Sequence, residues 1–207
     1  HNFEIRKQLI EYDDVMNQQR EVIYRQRRQA LLEDDLSGEI KSMIDDRALE
    51  ILSMFEDERL PVTEWDLDGI SEAVNRQFNC GLKADHFSLY YLGQINQTDQ
   101  SHPQGNIKEN IDKKSLDREE AGHIIIHTIM EKYHDQESLA GADEFRKLEK
   151  YIMLQTVDTL WKEHLLNMDH LKEGIGLRSY AQQNPLVIYK KEGYEMFQDL
   201  VDRIKEQ

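Results

Sequence analysis

The chain has 207 residues, of which 39% are hydrophobic and 32% charged, and its formal net charge is −15. The length allows one or two domains with buried cores, and the abundance of charged residues with only three prolines favours helices over sheets. No apolar run approaches the roughly 18 residues of a membrane-spanning helix, no targeting signal is present, and the acidic balance disfavours direct nucleic-acid binding. Because the first residue is His1 rather than Met, we expect a segment of a longer protein.

Residues 1–33 are predicted to form one long amphipathic helix. Apolar side chains recur at helical spacing in this segment, and charges of both signs lie between them. The apolar positions are Ile5, Leu9, Tyr12, Met16 and Ile23. No capping residue precedes the first turn, which also suggests that the helix continues from an upstream part of a longer chain.

Residues 34–141 contain nearly all of the net negative charge and are predicted to form several shorter helices in a solvated outer lobe. The segment from Gln94 to Lys114 is polar and contains Pro103 and Gly105, so we expect a mobile loop there. The predicted helices cover residues 37–55, 66–78 and about 117–134.

Residues 142–207 are predicted to form a helical hairpin. Gly174 and Gly176 are expected to end its first helix, and Asn184 with Pro185 is expected to start the second, as a capping side chain followed by a residue that lacks an N–H. One apolar face of the first helix comprises Leu154, Val157, Trp161, Leu165, Met168, Leu171 and Ile175, and a different face comprises Phe145, Leu148, Ile152, Thr156 and Leu160. The two halves of this helix are therefore expected to pack against different neighbours. The predicted apolar face of the second helix comprises Tyr194, Phe197, Val201 and Ile204.

The connection between the two predicted helices carries Leu177, Arg178 and Tyr180 near its apex. We expect function at this tip. From the residues alone, Tyr180 either contacts a partner or packs against its own hairpin.

Motifs that carry enzymatic chemistry are absent from the sequence. There is no phosphate-binding loop, no H-E-x-x-H motif and no paired C-x-x-C. The single cysteine, Cys80, excludes an internal disulfide framework and is compatible with a reducing cytosol. We therefore predict no catalytic residue, no cofactor-binding residue and no metal ligand.

The histidines allow one alternative interpretation. His123, His127 and His134 recur along one predicted helix, and Glu131 or Asp135 could complete a zinc site. Scattered histidines on a solvent-facing helix are the preferred interpretation, and elemental analysis of purified protein would decide between the two. His164 and His170 are interpreted as ordinary polar residues of the hairpin.

Two segments resemble the C-terminal part of the SecA family, the ATPase motors of bacterial preprotein translocation: NFEIRKQLIEYDDVMNQQREVIY and MLQTVDTLWKEHLLNMDHLKEGIGLRSYAQQNPLVIYKKEGYEMF. The resemblance implies an all-α fold, in which a long scaffold helix lies beside an antiparallel helical hairpin and a small helical wing domain is inserted. Residues 1–33 would be the end of the long helix of the helical scaffold, residues 34–141 the wing, and residues 142–207 the rest of the scaffold with its two-helix finger.

The resemblance also implies a role for the tip. In the family, the finger reaches the SecY channel and an aromatic residue of its loop contacts the translocating polypeptide. Tyr180 occupies that position, and its large amphipathic ring suits contact with chains of any sequence. The neighbouring residues of the implied tip are Leu177, Arg178, Ser179 and Ala181.

The implied partners are the SecY channel complex, the preprotein and the motor domains of the same chain, with peripheral contact at the cytoplasmic face of the cell membrane and no nucleic acid. ATP and Mg²⁺ would bind the motor domains upstream, so this segment would hold no cofactor and would be inactive as an ATPase on its own. A free-standing helical interaction module is the alternative from another class. A phosphate-binding loop upstream in the parent gene would decide for the motor.

Overall fold

The structure is a computed structural model that describes residues 2–88, 93, 116–178 and 184–206, without the side chains of residues 2–9 and 176–178. Across these ranges the chain forms six α-helices, two short 3-10 helices and no strand, which confirms the predicted all-α fold. The α-helices are α1 (Asn2–Leu32), α2 (Ser37–Ser53), α3 (Leu67–Phe78), α4 (Arg118–Ala140), α5 (Ala142–Arg178) and α6 (Pro185–Glu206).

The chain divides into two compact units. Unit 1 combines His1–Gly38 with Asp143–Gln207, and unit 2 is Glu39–Ala142. Each unit has its own cluster of buried apolar residues. Unit 2 is therefore one continuous segment of the chain, whereas unit 1 is formed by the two segments that flank it. The assignment of these parts to a wing and a scaffold stays a prediction.

Helix α1 of unit 1 is continuous, as its apolar spacing predicts. Ile23 is fully buried, and Tyr12 and Met16 are partly buried against the apolar cluster of unit 1. The helix ends beside α5, where Lys150 Nζ donates to the backbone carbonyls of Leu31 at 2.7 Å and Glu33 at 2.9 Å. A cation at this position satisfies carbonyls that the helix leaves without partners and complements the negative end of its dipole.

Unit 2 has helices that begin at capping side chains. At the start of α4, the Glu120 N–H donates to Asp117 Oδ1 and the Asp117 N–H donates to Glu120 Oε2, both at 2.9 Å, which is a capping box. Helix α4 runs to Ala140 and ends at Gly141, whose φ of 84° suits glycine. The predicted end at His134 was too early: the helix continues for six more residues, which are exposed apart from the partly buried Glu137, and it stops only at the glycine.

The turn after α3 is held by the amide of Asn75. Its Nδ2 donates to the Leu82 carbonyl at 2.7 Å and its Oδ1 accepts from the Leu82 N–H at 2.8 Å. Cys80 lies within this turn, and burial raises the pKa of its thiol, so the thiolate needed for reactivity is disfavoured. The predicted mobile loop from Gln94 to Lys114 lies outside the described residues.

Candidate functional site

Helix α5 is longer than the sequence predicts. Gly174 and Gly176 were expected to end it, yet the helix continues to Arg178. Each helical glycine costs about 1 kcal/mol relative to alanine, whereas burying an isoleucine contributes about 1.5–3 kcal/mol. Ile175, which lies between the glycines, is buried in the apolar cluster of unit 1. Burial of this one side chain is therefore large enough to offset the roughly 2 kcal/mol that the two glycines cost together.

Helix α6 starts where the sequence predicts. The Leu186 N–H donates to Asn184 Oδ1 at 3.0 Å, and Pro185 is the first helical residue. A side-chain oxygen at this position satisfies one of the N–H groups that open a helix. The prediction of a helix restart at Asn184 and Pro185 is confirmed.

Side-chain contacts show how α5 and α6 run relative to each other. His164 contacts Phe197, and Glu163 forms an ion pair with Arg203 at 2.9 Å. Met168, one turn further along α5, lies beside Gly193, one turn earlier in α6. The two helices therefore run antiparallel over these turns.

The main apolar face of α5 is confirmed, since Val157, Trp161, Met168 and Ile175 are buried. The second face is buried only in part. Leu160 is buried, whereas Leu148 and Ile152 are 48% and 44% exposed, so no described residue covers them as the expected second neighbour would.

The predicted face of α6 needs one correction. Tyr194 is 62% exposed, while Phe197 and Ile204 are buried as predicted. Successive residues of a helix point about 100° apart, so Gly193 rather than Tyr194 faces α5. The buried positions of this helix are Tyr189, Gly193, Phe197, Leu200 and Ile204.

An aromatic pair joins α1 to α6. The rings of Tyr12 and Tyr189 meet edge to face with centroids 4.7 Å apart. Tyr189 is fully buried, and burial, followed by the negative charges of Asp169 and Asp13, raises the pKa of its hydroxyl to about 12. Lys172 of α5 lies 5.6 Å above the Tyr12 ring, so residues of all three helices meet at this point.

Sequence reasoning missed the most buried polar contact of unit 1. His164 was interpreted as an ordinary polar residue, but it is only 3% exposed, and its Nε2 lies 2.8 Å from Gln19 Oε1. Gln19 Nε2 in turn donates to the Gly193 carbonyl at 2.9 Å. His170 is exposed, as expected of a surface polar residue. We refer to Gln19, His164 and Gly193 as the polar cluster.

The sequence does contain a feature that predicts the burial of Gln19 and His164. Gln19 falls between Met16 and Ile23 at helical spacing, and His164 falls between Trp161 and Met168 in the same way. A polar residue inside an apolar stripe is predicted to be buried, and a buried polar side chain needs a partner.

The environment of His164 leads to a prediction about pH. Burial lowers the pKa of His164 below its ordinary value of 6.5. As the pH falls through that value, the unfolded chain takes up a proton that the folded chain refuses, so the free energy of unfolding decreases, by at most about 1.4 kcal/mol per pH unit for this one group. The decrease stops once the pH is below the pKa of the folded state.

Urea unfolding between about pH 8 and about pH 5 measures this dependence. Wild type is compared with His164→Gln, which keeps an N–H donor without titrating, and with the exposed control His170→Gln. We expect the first variant to have a shallower decrease in unfolding free energy and the control to follow wild type. Equal slopes in all three would contradict the prediction.

The histidines of α4 are not gathered into one site. The rings of His123 and His127 are 6.4 Å apart, His134 contacts Tyr133, and His127 Nδ1 lies 3.8 Å from Glu131 Oε2. Within the described ranges, no group of three or more His, Cys, Asp or Glu residues is arranged to hold a metal ion. The described geometry therefore gives no support to the zinc alternative.

The predicted tip lies at the boundary of the described residues. Leu177 and Arg178 are the last residues of α5, and their side chains are not described. Ser179, Tyr180 and Ala181 lie outside the described residues. All five remain predictions.

No helix among the described residues is both long enough and apolar enough to cross a bilayer. What the fold defines is an all-α protein in which a long helix, α1, packs against the antiparallel pair of α5 and α6, and in which the sequence of a second helical unit is inserted between α1 and α5. The sequence profile described as "SecA Wing and Scaffold domain" matches residues 1–207. The chain therefore belongs to the SecA family.

Curated relatives agree with this assignment. The chain is 55% identical over 207 residues to the protein translocase subunit SecA of Desulforapulum autotrophicum, and 47% identical over 206 residues to that of Syntrophobacter fumaroxidans. The subunit of Desulfotalea psychrophila is 42% identical over 207 residues. The matches cover all of this chain and 22% of each of these three relatives, so the chain spans little more than a fifth of their length.

Proposed function

We propose that this chain is the scaffold and wing portion of a motor for protein translocation, and that the α5–α6 pair is its two-helix finger. The match of the whole chain to the SecA wing and scaffold family is the observation that carries the proposal. Residues 1–33 and 142–207 would form the scaffold, and residues 34–141 the wing. The return of the chain to unit 1 after unit 2 supports this assignment.

The proposed output of the finger is its tip. Tyr180, flanked by Leu177, Arg178, Ser179 and Ala181, would contact the polypeptide at the SecY channel, on the cytoplasmic face of the membrane. ATP and Mg²⁺ would act in motor domains outside this chain. The antiparallel pairing of α5 with α6 supports the proposal, because it brings the end of α5 and the start of α6 to one end of the pair.

The proposed transmission runs through α1, which is attached to α5 at successive points. Near its C-terminal end, Arg27 donates to both carboxylate oxygens of Asp158, at 2.7 and 3.2 Å, and this hydrogen bonding lowers the pKa of Asp158. Further towards the tip, Lys172 lies 3.8 Å from Asp13. A displacement of α1 would therefore carry α5 with it. A hinge-like rearrangement of the motor domains would move the finger in this way. Because α1 and α5 would move together, a cross-link between them should leave ATP-driven transport intact, and loss of transport would argue that the finger has to move relative to α1.

The test of the proposed tip is Tyr180→Ala in the full-length protein, with preprotein transport and ATPase activity measured separately. We expect transport to fall roughly 2- to 13-fold, the equivalent of an aromatic contact worth about 0.5–1.5 kcal/mol, with ATPase activity retained. Tyr180→Phe should keep most of the transport because it keeps the ring.

The matched control for this test is Tyr194→Ala, which removes another exposed tyrosine from the same pair of helices. It should leave transport unchanged. Normal transport by Tyr180→Ala, or an equal loss in the control, would refute the assignment of the tip.

One observation favours the alternative of a free-standing interaction module. Leu148, Tyr151 and Ile152 form an exposed apolar patch on the first half of α5, and such patches commonly mark interaction sites. The motor proposal accounts for the same patch as a contact with other domains of the full-length protein. A parent gene without a phosphate-binding loop upstream would favour the module.

A further inference from the structure

The polar cluster lies in the buried part of the interface between α1, α5 and α6, whereas the Arg27–Asp158 and Lys172–Asp13 contacts of the same interface are partly exposed. Gln19 is contributed by α1, His164 by α5 and Gly193 by α6, so the two hydrogen bonds join α1 to residues that are 145 and 174 positions further along the chain. Apolar rings enclose it, since Trp161 stacks on the His164 ring at 5.5 Å and Phe197 meets that ring edge to face at 5.8 Å.

The geometry of the cluster fixes the proton position on His164. The Gly193 carbonyl only accepts hydrogen bonds, so the Gln19 atom facing it, 2.9 Å away, is the amide nitrogen. The other Gln19 atom, which faces His164, is therefore the amide oxygen, and it also only accepts. His164 Nε2 must then carry a proton and donate at 2.8 Å.

Gly193 allows this arrangement because it has no side chain. A Cβ at Gly193 would lie 2.7 Å from Met168 Cε and 3.4 Å from Met168 Sδ. Met168 is itself buried, so its terminal methyl has little room to move. The glycine therefore lets α5 and α6 approach closely beside the carbonyl that Gln19 contacts.

Apolar contact alone does not specify register between helices. Burial of apolar surface is non-directional, and a slip of one turn would place the apolar residues of α1 against other apolar residues. The same slip would leave the His164 N–H and the Gln19 amide buried without partners, which is costly for groups so shielded from water. The polar cluster therefore makes the native register of α1 lower in free energy than the registers shifted by one turn.

We infer that Gln19 is a positioning residue, whose side-chain amide fixes the register of α1 against both α5 and α6 by accepting from His164 Nε2–H and donating to the Gly193 carbonyl. One turn of helix is about 5.4 Å, so a slip would displace the end of the α5–α6 pair by a similar distance. Such a displacement should lower preprotein transport, and only this last expectation rests on the proposed function.

The first test uses the unmodified chain. Imidazole ¹⁵N resonances of His164 report which ring nitrogen carries the proton. We expect a protonated Nε2 and a bare Nδ1 near neutral pH, and a bare Nε2 would overturn the inference.

The second test compares three variants. Gln19→Leu removes both hydrogen bonds, Gln19→Glu keeps the acceptor for His164 but loses the donor to Gly193, and Gln18→Leu is the matched control at the exposed neighbouring position. Spin labels at the exposed positions Glu21 on α1 and Gln198 on α6 measure the separation of the two helices.

For Gln19→Leu we expect a second distance population displaced by up to about 5 Å, one helical turn, together with loss of the single His164 tautomer. Gln19→Glu should broaden the distances while keeping the Nε2 proton, and Gln18→Leu should match the parent. An unchanged, single distance in Gln19→Leu would overturn the inference. If that variant does not fold, Gln19→Glu and the ¹⁵N result on the unmodified chain decide by the same criteria.

The transport assay separates this inference from the proposed function. In the full-length protein, Gln19→Leu should lower transport while Gln18→Leu does not. Normal transport by Tyr180→Ala would refute the assignment of the tip and leave the distance and tautomer measurements untouched, because these need neither a channel nor a preprotein. A register shift in Gln19→Leu with normal transport would support positioning and count against the finger.

Discussion

Tyr189→Ala is expected to lower the free energy of unfolding of unit 1 by about 3–5 kcal/mol, as truncation of a buried aromatic residue typically does. Only 1% of Tyr189 is exposed, and its ring packs with Tyr12 of α1 as well as with the apolar residues around Met168 of α5. Truncation would leave a cavity where the three helices meet, and neither Tyr12 nor Met168 could fill it without leaving its own contacts. Urea unfolding followed by circular dichroism measures the loss.

Two further variants identify the cause of that loss. Tyr194→Ala removes the same side chain five residues along the same helix, at a position that is 62% exposed, and should cost less than about 0.5 kcal/mol. Tyr189→Phe keeps the ring and removes only the hydroxyl. If Tyr189→Phe were as destabilising as Tyr189→Ala, packing of the ring would not be the source of the stability.

The sequence predicted the helices of unit 1 well because their apolar stripes are long. Along α1, Ile23 is buried and Tyr12 and Met16 are partly buried, and along α5 both Trp161 and Met168 are buried. Periodicity works in such cases because a stripe of this length can be buried on only one side of a helix. The start of α6 was predicted correctly for a different reason, because the capping side chain of Asn184 and the missing N–H of Pro185 act on the residues next to them.

The errors have a common origin in contacts between distant residues. The end of α5 was misplaced because two glycines were judged by local preference, while Ile175 holds that turn through packing. Tyr194 was assigned to the buried face because its neighbour Gly193 has no apolar side chain to count, although it is Gly193 that faces Met168. Patterns along one helix do not show which residues of another helix lie opposite.

Of the candidate functional residues, the sequence predicts some and only the structure reveals the others. The tip around Tyr180 came from the resemblance to a family and remains a prediction. The polar cluster came from the structure, because a search for apolar stripes treats Gln19 and His164 as interruptions. Only the distances between the three helices show that these interruptions are partners.

Ile124→Ala in unit 2 is expected to cost about 2–5 kcal/mol. Ile124 is fully buried in the first half of α4, in the cluster that also includes Leu52 of α2 and Ile70 of α3. α2 and α4 pack closely here, since a Cβ at Gly122 would already lie 2.9 Å from Leu49 Cδ2, so neighbouring side chains have little freedom to shift into the cavity that the substitution leaves. A control on the same helix is Leu139→Ala, at a position that is 89% exposed, and it should cost less than about 0.5 kcal/mol.

Amide hydrogen exchange measures which helices lose stability when Ile124 is replaced by alanine. Because the apolar clusters of units 1 and 2 share no residue, we expect faster exchange in α2, α3 and α4 and unchanged exchange in α1, α5 and α6. The opposite pattern is expected for Tyr189→Ala. If either substitution accelerated exchange equally in all six helices, the two cores would unfold as one cooperative structure. A movement in one unit would then be coupled to the other by stability as well as by the chain that joins them.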